Sequence, residues 1–181
     1  MAAPVEIAVC PGCGSRLPAV EGPVHAYMVS SPACWAAFNA VMAREYSDPG
    51  LMAVHRLSVD AWAVQHPGDG SRRAIQSVGL HLARLMVQIE QGLEGEEANA
   101  AMLGFAARKA DLPELPPRGD YTLTVADVVE AEAPDAHCAA GPVRSGPTGR
   151  ISTTLSGAGR NRVEALLRTS AATGRLIRSP S

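Results

Sequence analysis

The segment Cys10-Pro11-Gly12-Cys13-Gly14 restricts what this chain can fold into more than any other. Two thiolates three positions apart reach one ion if the backbone between them turns tightly. Pro11 favours that turn, and Gly12 and Gly14 admit the conformations that aim backbone amides at sulfur. The segment reads as half of a structural zinc site. Two free thiols in a loop are the plainer alternative. A redox pair is the third, but no strand–helix unit follows in the way a thioredoxin-like motif requires.

A structural zinc ion takes four ligands. Cys34 is expected as the third, because it falls in the first turn of a predicted helix, where the positive end of the helix dipole favours a thiolate. A small buried core residue is the other reading of Cys34. His25 is expected as the fourth, giving Cys10-x2-Cys13-x11-His25-x8-Cys34, a spacing that matches no standard finger. An exposed loop histidine is its alternative. His55 or His81 would reach the site only through the tertiary fold. The predicted metal set is therefore Cys10, Cys13, His25 and Cys34, with zinc as the cofactor.

The rest of the chain reads as mainly α. Residues 1–32 carry many Gly, Pro and Ser and are expected to form the zinc knuckle and an irregular loop. Residues 33–138 form the helical body, a three- to four-helix bundle on which the knuckle packs. Ser31-Pro32 resembles a helix start, with Ser as N-cap, and Trp35, Phe38, Val41 and Met42 recur at helical spacing over Ala33 to Tyr46. A second helix is predicted from Leu51 to Gln65, ended by His66-Pro67-Gly68. A third runs from Arg72 to about Gly92, a fourth from Glu96 to Lys109, and a short one from Val125 to Glu132. Residues 139–181 are rich in Gly, Ser, Thr and Arg and are expected to be a disordered or atypical tail, with one weak apolar period at Val163, Leu166 and Leu167. Aromatic residues make up only 4%, so the core is built mostly from Ala, Val, Leu and Met, and a metal clip would help it.

His55, Asp60, His66 and His81 are the candidates for catalysis. Geometry limits them. His55 and His66 share a helix face but stand about 16 Å apart along the axis at about 1.5 Å per residue. One ion cannot hold both. The favoured reading makes His55 and His81 core-edge residues bonded across helices, Asp60 a buried acceptor, and His66 a cap on the second helix. The sequence carries no phosphate loop, no dinucleotide fingerprint, no HExxH and no GxSxG.

A net charge of −2 gives no strong nucleic-acid signal. No segment reads as a signal peptide or a membrane span. A cytoplasmic location follows, where cysteines serve as metal ligands or free thiols more than as disulfides. The expectation is a small zinc-stabilised helical protein acting in binding or regulation; the residues do not name its partner, a protein being one candidate. The competing expectation is a metal-dependent, hydrolase-like enzyme using the His/Asp residues between helices 2 and 3.

The runs CPGCG, GPVHAYMVSSPACW, REYSDP, VHRLSVDAWAVQHPG and AIQSVGLHL resemble a family of uncharacterised bacterial proteins known as a domain of unknown function, with a CPGCG knuckle and a VDAYAVQHPG-type signature. The resemblance covers about residues 7–130. It implies that Cys10, Cys13, His25, Cys34, His55, Asp60, Gln65, His66 and His81 fall on the family's characteristic positions. It carries no activity across. After about residue 138 the chain departs from the pattern, in which a Trp-containing helix would follow.

Overall fold

The structure is a computed structural model that describes residues 5–93, 95–112, 114–115, 121 and 123–130. It opens on a hairpin that the Gly- and Pro-rich composition did not announce. Strand β1 (Ile7–Val9) pairs antiparallel with β2 (Arg16–Pro18), with Ile7 opposite Pro18 and Val9 opposite Arg16. Leu17, on the inner face, packs against the core, while Ile7 and Val9 stay about half exposed. The knuckle segment is the turn of this hairpin.

Helix α1 spans Pro32–Ser47. Its start follows the local chemistry: Ser31 is extended, its hydroxyl accepts from the Cys34 amide at 3.1 Å, and Pro32 occupies the first turn. Cys34, Phe38, Val41, Met42 and Glu45 form its buried stripe. Asp48 then caps a 3-10 turn at Pro49–Leu51, and α2 runs from Met52 to Val64. Burial along α2 is lopsided. Trp62, Ala63 and Val64 are buried, whereas Val54, Leu57 and Ser58, earlier in the helix, are only half-buried. Helix α3 (Arg72–Leu85) starts on Ser71, whose hydroxyl accepts from the Ala74 amide, and buries Ala74, Val78, Gly79, Leu82, Ala83 and Leu85.

The α-helical hydrogen bonding predicted up to Gly92 stops at Leu85. The next turn, Met86–Glu90, widens into a π turn, closed by the Gln91 amide on the Met86 carbonyl at 3.3 Å. Helix α4 covers Gly95–Ala107 and is followed by a 3-10 turn at Lys109–Asp111. Helix α5 covers Val125–Glu130 and lies against α1. The tail expected at residues 139–181, with its period at Val163, Leu166 and Leu167, lies outside the described residues.

One core cluster joins the knuckle to the helices: Cys10, Cys13 and Met28 pack with Phe38, Trp62, Leu82, Met86 and Phe105. Its aliphatic centre is Leu82, 2% exposed. Leu82→Ala is expected to lower unfolding free energy by about 2–5 kcal/mol, because the surrounding helices cannot close on the void. Chemical denaturation checks this; a loss under about 1 kcal/mol would show that the site collapses freely. Among the described residues no helix is long and apolar enough to cross a membrane.

Candidate metal centre

The hairpin turn sets the first two sulfurs. The Cys10 amide donates to the Ser15 carbonyl at 2.9 Å, and the Gly14 amide donates back to the Cys10 carbonyl at 2.9 Å. Gly14 has φ +79°, a conformation that favours glycine. This double closure leaves the Cys10 and Cys13 side chains pointing inward, both buried. Cys34 arrives from the first turn of α1. The fourth group is His66, two residues past the end of α2.

His66 is prepared by its own helix. Its Nδ1 donates to the Trp62 carbonyl at 2.5 Å, which leaves Nε2 as the nitrogen that faces the sulfurs. Nε2 is 3.5 Å from Cys10 Sγ and 3.3 Å from Cys34 Sγ, and Cys13 Sγ is 3.8 Å from Cys34 Sγ. All four atoms lie within 4.8 Å of one another. The indole of Trp62 stacks on the imidazole at 4.1 Å between centroids and fixes its plane. Gly12 lets the turn come this close: a Cβ there would stand 2.3 Å from His66 Cδ2 and 2.3 Å from the Val29 carbonyl oxygen. These four buried groups can hold a metal ion.

Electrostatics divide the protons unevenly among the four groups. Hydrogen bonds from Cys13 and Cys34 hold the Cys10 thiol far below the ordinary thiol range. The same contacts, with Cys10 and Cys13 as partners, push the Cys34 thiol up, since the pocket resists a second negative charge. Burial alone would lower His66, but its bonds to Cys10 and Cys13 and to the Trp62 carbonyl outweigh that and raise it to about 9. In the absence of an ion the pocket thus favours one thiolate, on Cys10, beside a protonated Cys34 and a basic imidazole, and a metal ion bound here would displace those protons.

The profile of DUF5946, a family of unknown function, matches residues 8–141 of this sequence. The chain belongs to DUF5946. No curated protein and no solved structure matches it. The matched span takes in every candidate site residue of this DUF5946 chain, from Cys10 to His81.

Two expectations need correction against this geometry. His25 is not among the four. Its Nδ1 accepts from the Tyr27 and Met28 amides at 3.4 and 3.1 Å, so the ring proton is on Nε2 and neither nitrogen offers a lone pair to a metal. Burial, then the positive charge of Arg73, keeps its pKa low. The ring meets Tyr27 and Trp35 edge-on and braces the loop.

The second correction concerns His55, Asp60, His66 and His81, which do not converge. His66 faces the sulfurs. His55 Nδ1 bonds Glu45 Oε2 at 2.9 Å, across α1 and α2, on a fully buried carboxylate that also accepts from Ser58. His81 Nδ1 bonds Asp60 Oδ1 at 2.7 Å, across α2 and α3. Among the described residues the cysteines and His66 form the only group of three or more His, Cys, Asp or Glu able to share an ion. The sequence signal for His66 was present but split. Its place after a helix end suggests a cap, and one ring nitrogen does cap; the other remains free to ligate.

Proposed function

We propose that Cys10, Cys13, Cys34 and His66 bind one structural zinc ion, which staples the knuckle module of residues 1–32 to the helical body of residues 33–138. The protein then acts as a binding or regulatory domain whose surface the metal shapes. The observation that carries this reading is the closure of the site: the four residues are between 0% and 4% exposed. Four protein ligands in a dry pocket leave no open position for water or substrate, which is the mark of a structural rather than a catalytic zinc.

The spacing supports zinc as the ion. Zn–S bonds of about 2.3 Å and Zn–N bonds of about 2.05 Å at tetrahedral angles put sulfurs about 3.8 Å apart and sulfur and nitrogen about 3.6 Å apart. The distances here are 3.8 Å for the sulfur pair and 3.5 and 3.3 Å for the two sulfur–nitrogen pairs. A disulfide would instead need sulfurs about 2.05 Å apart. Thiolate ligands of this kind suit a reducing cytoplasm.

Metal analysis of the purified chain tests the proposal. About one zinc per chain is expected. His66→Ala should lose it, and His25→Ala should keep it. Iron in place of zinc, a metal-free protein, or equal loss in both variants would refute the assignment.

A further inference from the structure

The β1–β2 hairpin has two outer edges, and they differ. The Cys10 amide donates to the Ser15 carbonyl and the Ala19 amide to the Glu6 carbonyl, both at 2.9 Å, with Ala8 opposite Leu17 between them. The even-numbered residues of β1 therefore spend their backbone groups on β2. Those of Ile7 and Val9 turn outward. Among the described residues no backbone group bonds to them. On β2 the outward groups belong to Arg16 and Pro18. Pro18 has no amide hydrogen to offer and Arg16 sets a charge beside it, so that edge is blunted. The β1 edge has neither device: Ile7 and Val9 keep donor and acceptor and carry no charge.

The face beside the open edge is apolar. Val5, Ile7 and Val9 alternate along the strand and are 69%, 45% and 49% exposed. Pro18 stands opposite Ile7, and the same register sets Val20 opposite Val5. Most of the large apolar side chains exposed among the described residues lie between Val5 and Val29. What fits here is a strand with its own unpaired backbone groups and an apolar face on the same side. A second β1 meets both conditions.

We propose that two copies of this chain pair β1 against β1, antiparallel, into one four-stranded sheet. A twofold axis at Ile7 sets Ile7 opposite Ile7 and Val5 opposite Val9 twice, so every outward residue of the strand exchanges backbone bonds. The apolar face then runs unbroken over both copies. Glu6 falls opposite Ala8 on the other face, so no like charges meet, and the two Arg16 side chains lie at opposite corners of the sheet. The assembly closes at two copies, because the outer edges of the new sheet are both β2 edges, each blunted by Pro18. The contact is small, so the copies exchange rather than stay together. It needs the hairpin and not the identity of the ion bound beneath it.

Sedimentation of the metal-loaded full chain over a concentration series up to about 1 mM tests this. The expected result is a monomer–dimer equilibrium with no larger species. Amide exchange reads the strand itself: the Ile7 and Val9 amides should be open in the dilute chain and gain protection as it is concentrated, while the Ala8 amide, which faces Leu17, is protected throughout. Ile7→Lys sets two ammonium groups across the axis and should weaken association at least about fivefold with metal content unchanged. Val5→Lys and Val9→Glu should each weaken it, and the double variant should regain it, because this register joins position 5 of one copy to position 9 of the other. If Ile7→Lys disturbs the hairpin, seen as lost metal, that pair decides. A chain that stays monomeric, an undiminished dimer in Ile7→Lys, or no recovery in the double variant would overturn the proposal. So would Ile7 and Val9 amides already protected at high dilution, since another segment of the chain would then hold the edge.

Discussion

Cys34→Ser is expected to empty the metal centre and to lower the melting temperature by on the order of 10 °C or more. The hydroxyl that replaces the thiol is a poor zinc ligand. The site is fully buried, so water cannot take the vacated place without opening the core. The residues lost from register are not local. Cys10 and Cys34 each meet the His66 imidazole, 56 and 32 positions away in sequence, so an ion bound there restrains both the hairpin and the end of α2. Chelation of the wild-type protein should reproduce the effect, and the unfolded fraction should rise with chelator strength. Calorimetry of Cys34→Ser with and without added zinc reads this directly. A variant that melts at the wild-type temperature would mean that packing alone holds the knuckle in place.

Gly12→Ala should be almost as damaging, for a steric reason. The added methyl would stand 2.3 Å from the His66 ring and 2.3 Å from the Val29 carbonyl. Neither can move cheaply. The ring is held by the Trp62 carbonyl and by the stacked indole, and the carbonyl belongs to the backbone. A cost of about 3 kcal/mol is expected, together with weaker metal retention, because the turn must back away from His66. Gly50→Ala is the control. There the Cβ meets only the Asp48 carboxylate tip at 3.2 Å, on the surface, and the change should be within about 1 kcal/mol. If both variants have equal stability and metal content, close approach of the turn to His66 is not what Gly12 provides.

The helices were legible because their signals are local. Ser31-Pro32 and Ser71 cap where the extended backbone and side-chain hydroxyl require, and His66-Pro67-Gly68 ends α2 near where a stop is written. The hairpin was not legible. Its strands are three residues long, too short for a period of two to stand out among prolines and glycines. The π turn after Leu85 was hidden for a different reason: Met86, Val87 and Ile89 continue a helical apolar pattern while the hydrogen bonding changes beneath it. At the centre, the three cysteines named from the sequence do lie together. The imidazole beside them is His66 and not His25, and the difference shows in which ring nitrogens the backbone occupies. Two amides from Tyr27 and Met28 occupy one nitrogen of His25, and a carbonyl from Trp62 frees one nitrogen of His66. Spacing along the chain carries no record of either.

In the proposed centre, the order of the four residues along the chain also sets an order in time. Cys10 and Cys13 emerge first of the four during synthesis, and their turn closes within a few residues, so a metal ion would meet this pair before the others. Cys34 can join once α1 has nucleated, and His66 only after α2 is complete. Each later arrival closes a longer loop, at an entropic cost that grows only with the logarithm of its length. The bound ion would then act as a nucleus that waits for its last partners, making metal supply a factor in how quickly the chain matures as well as in how firmly it holds.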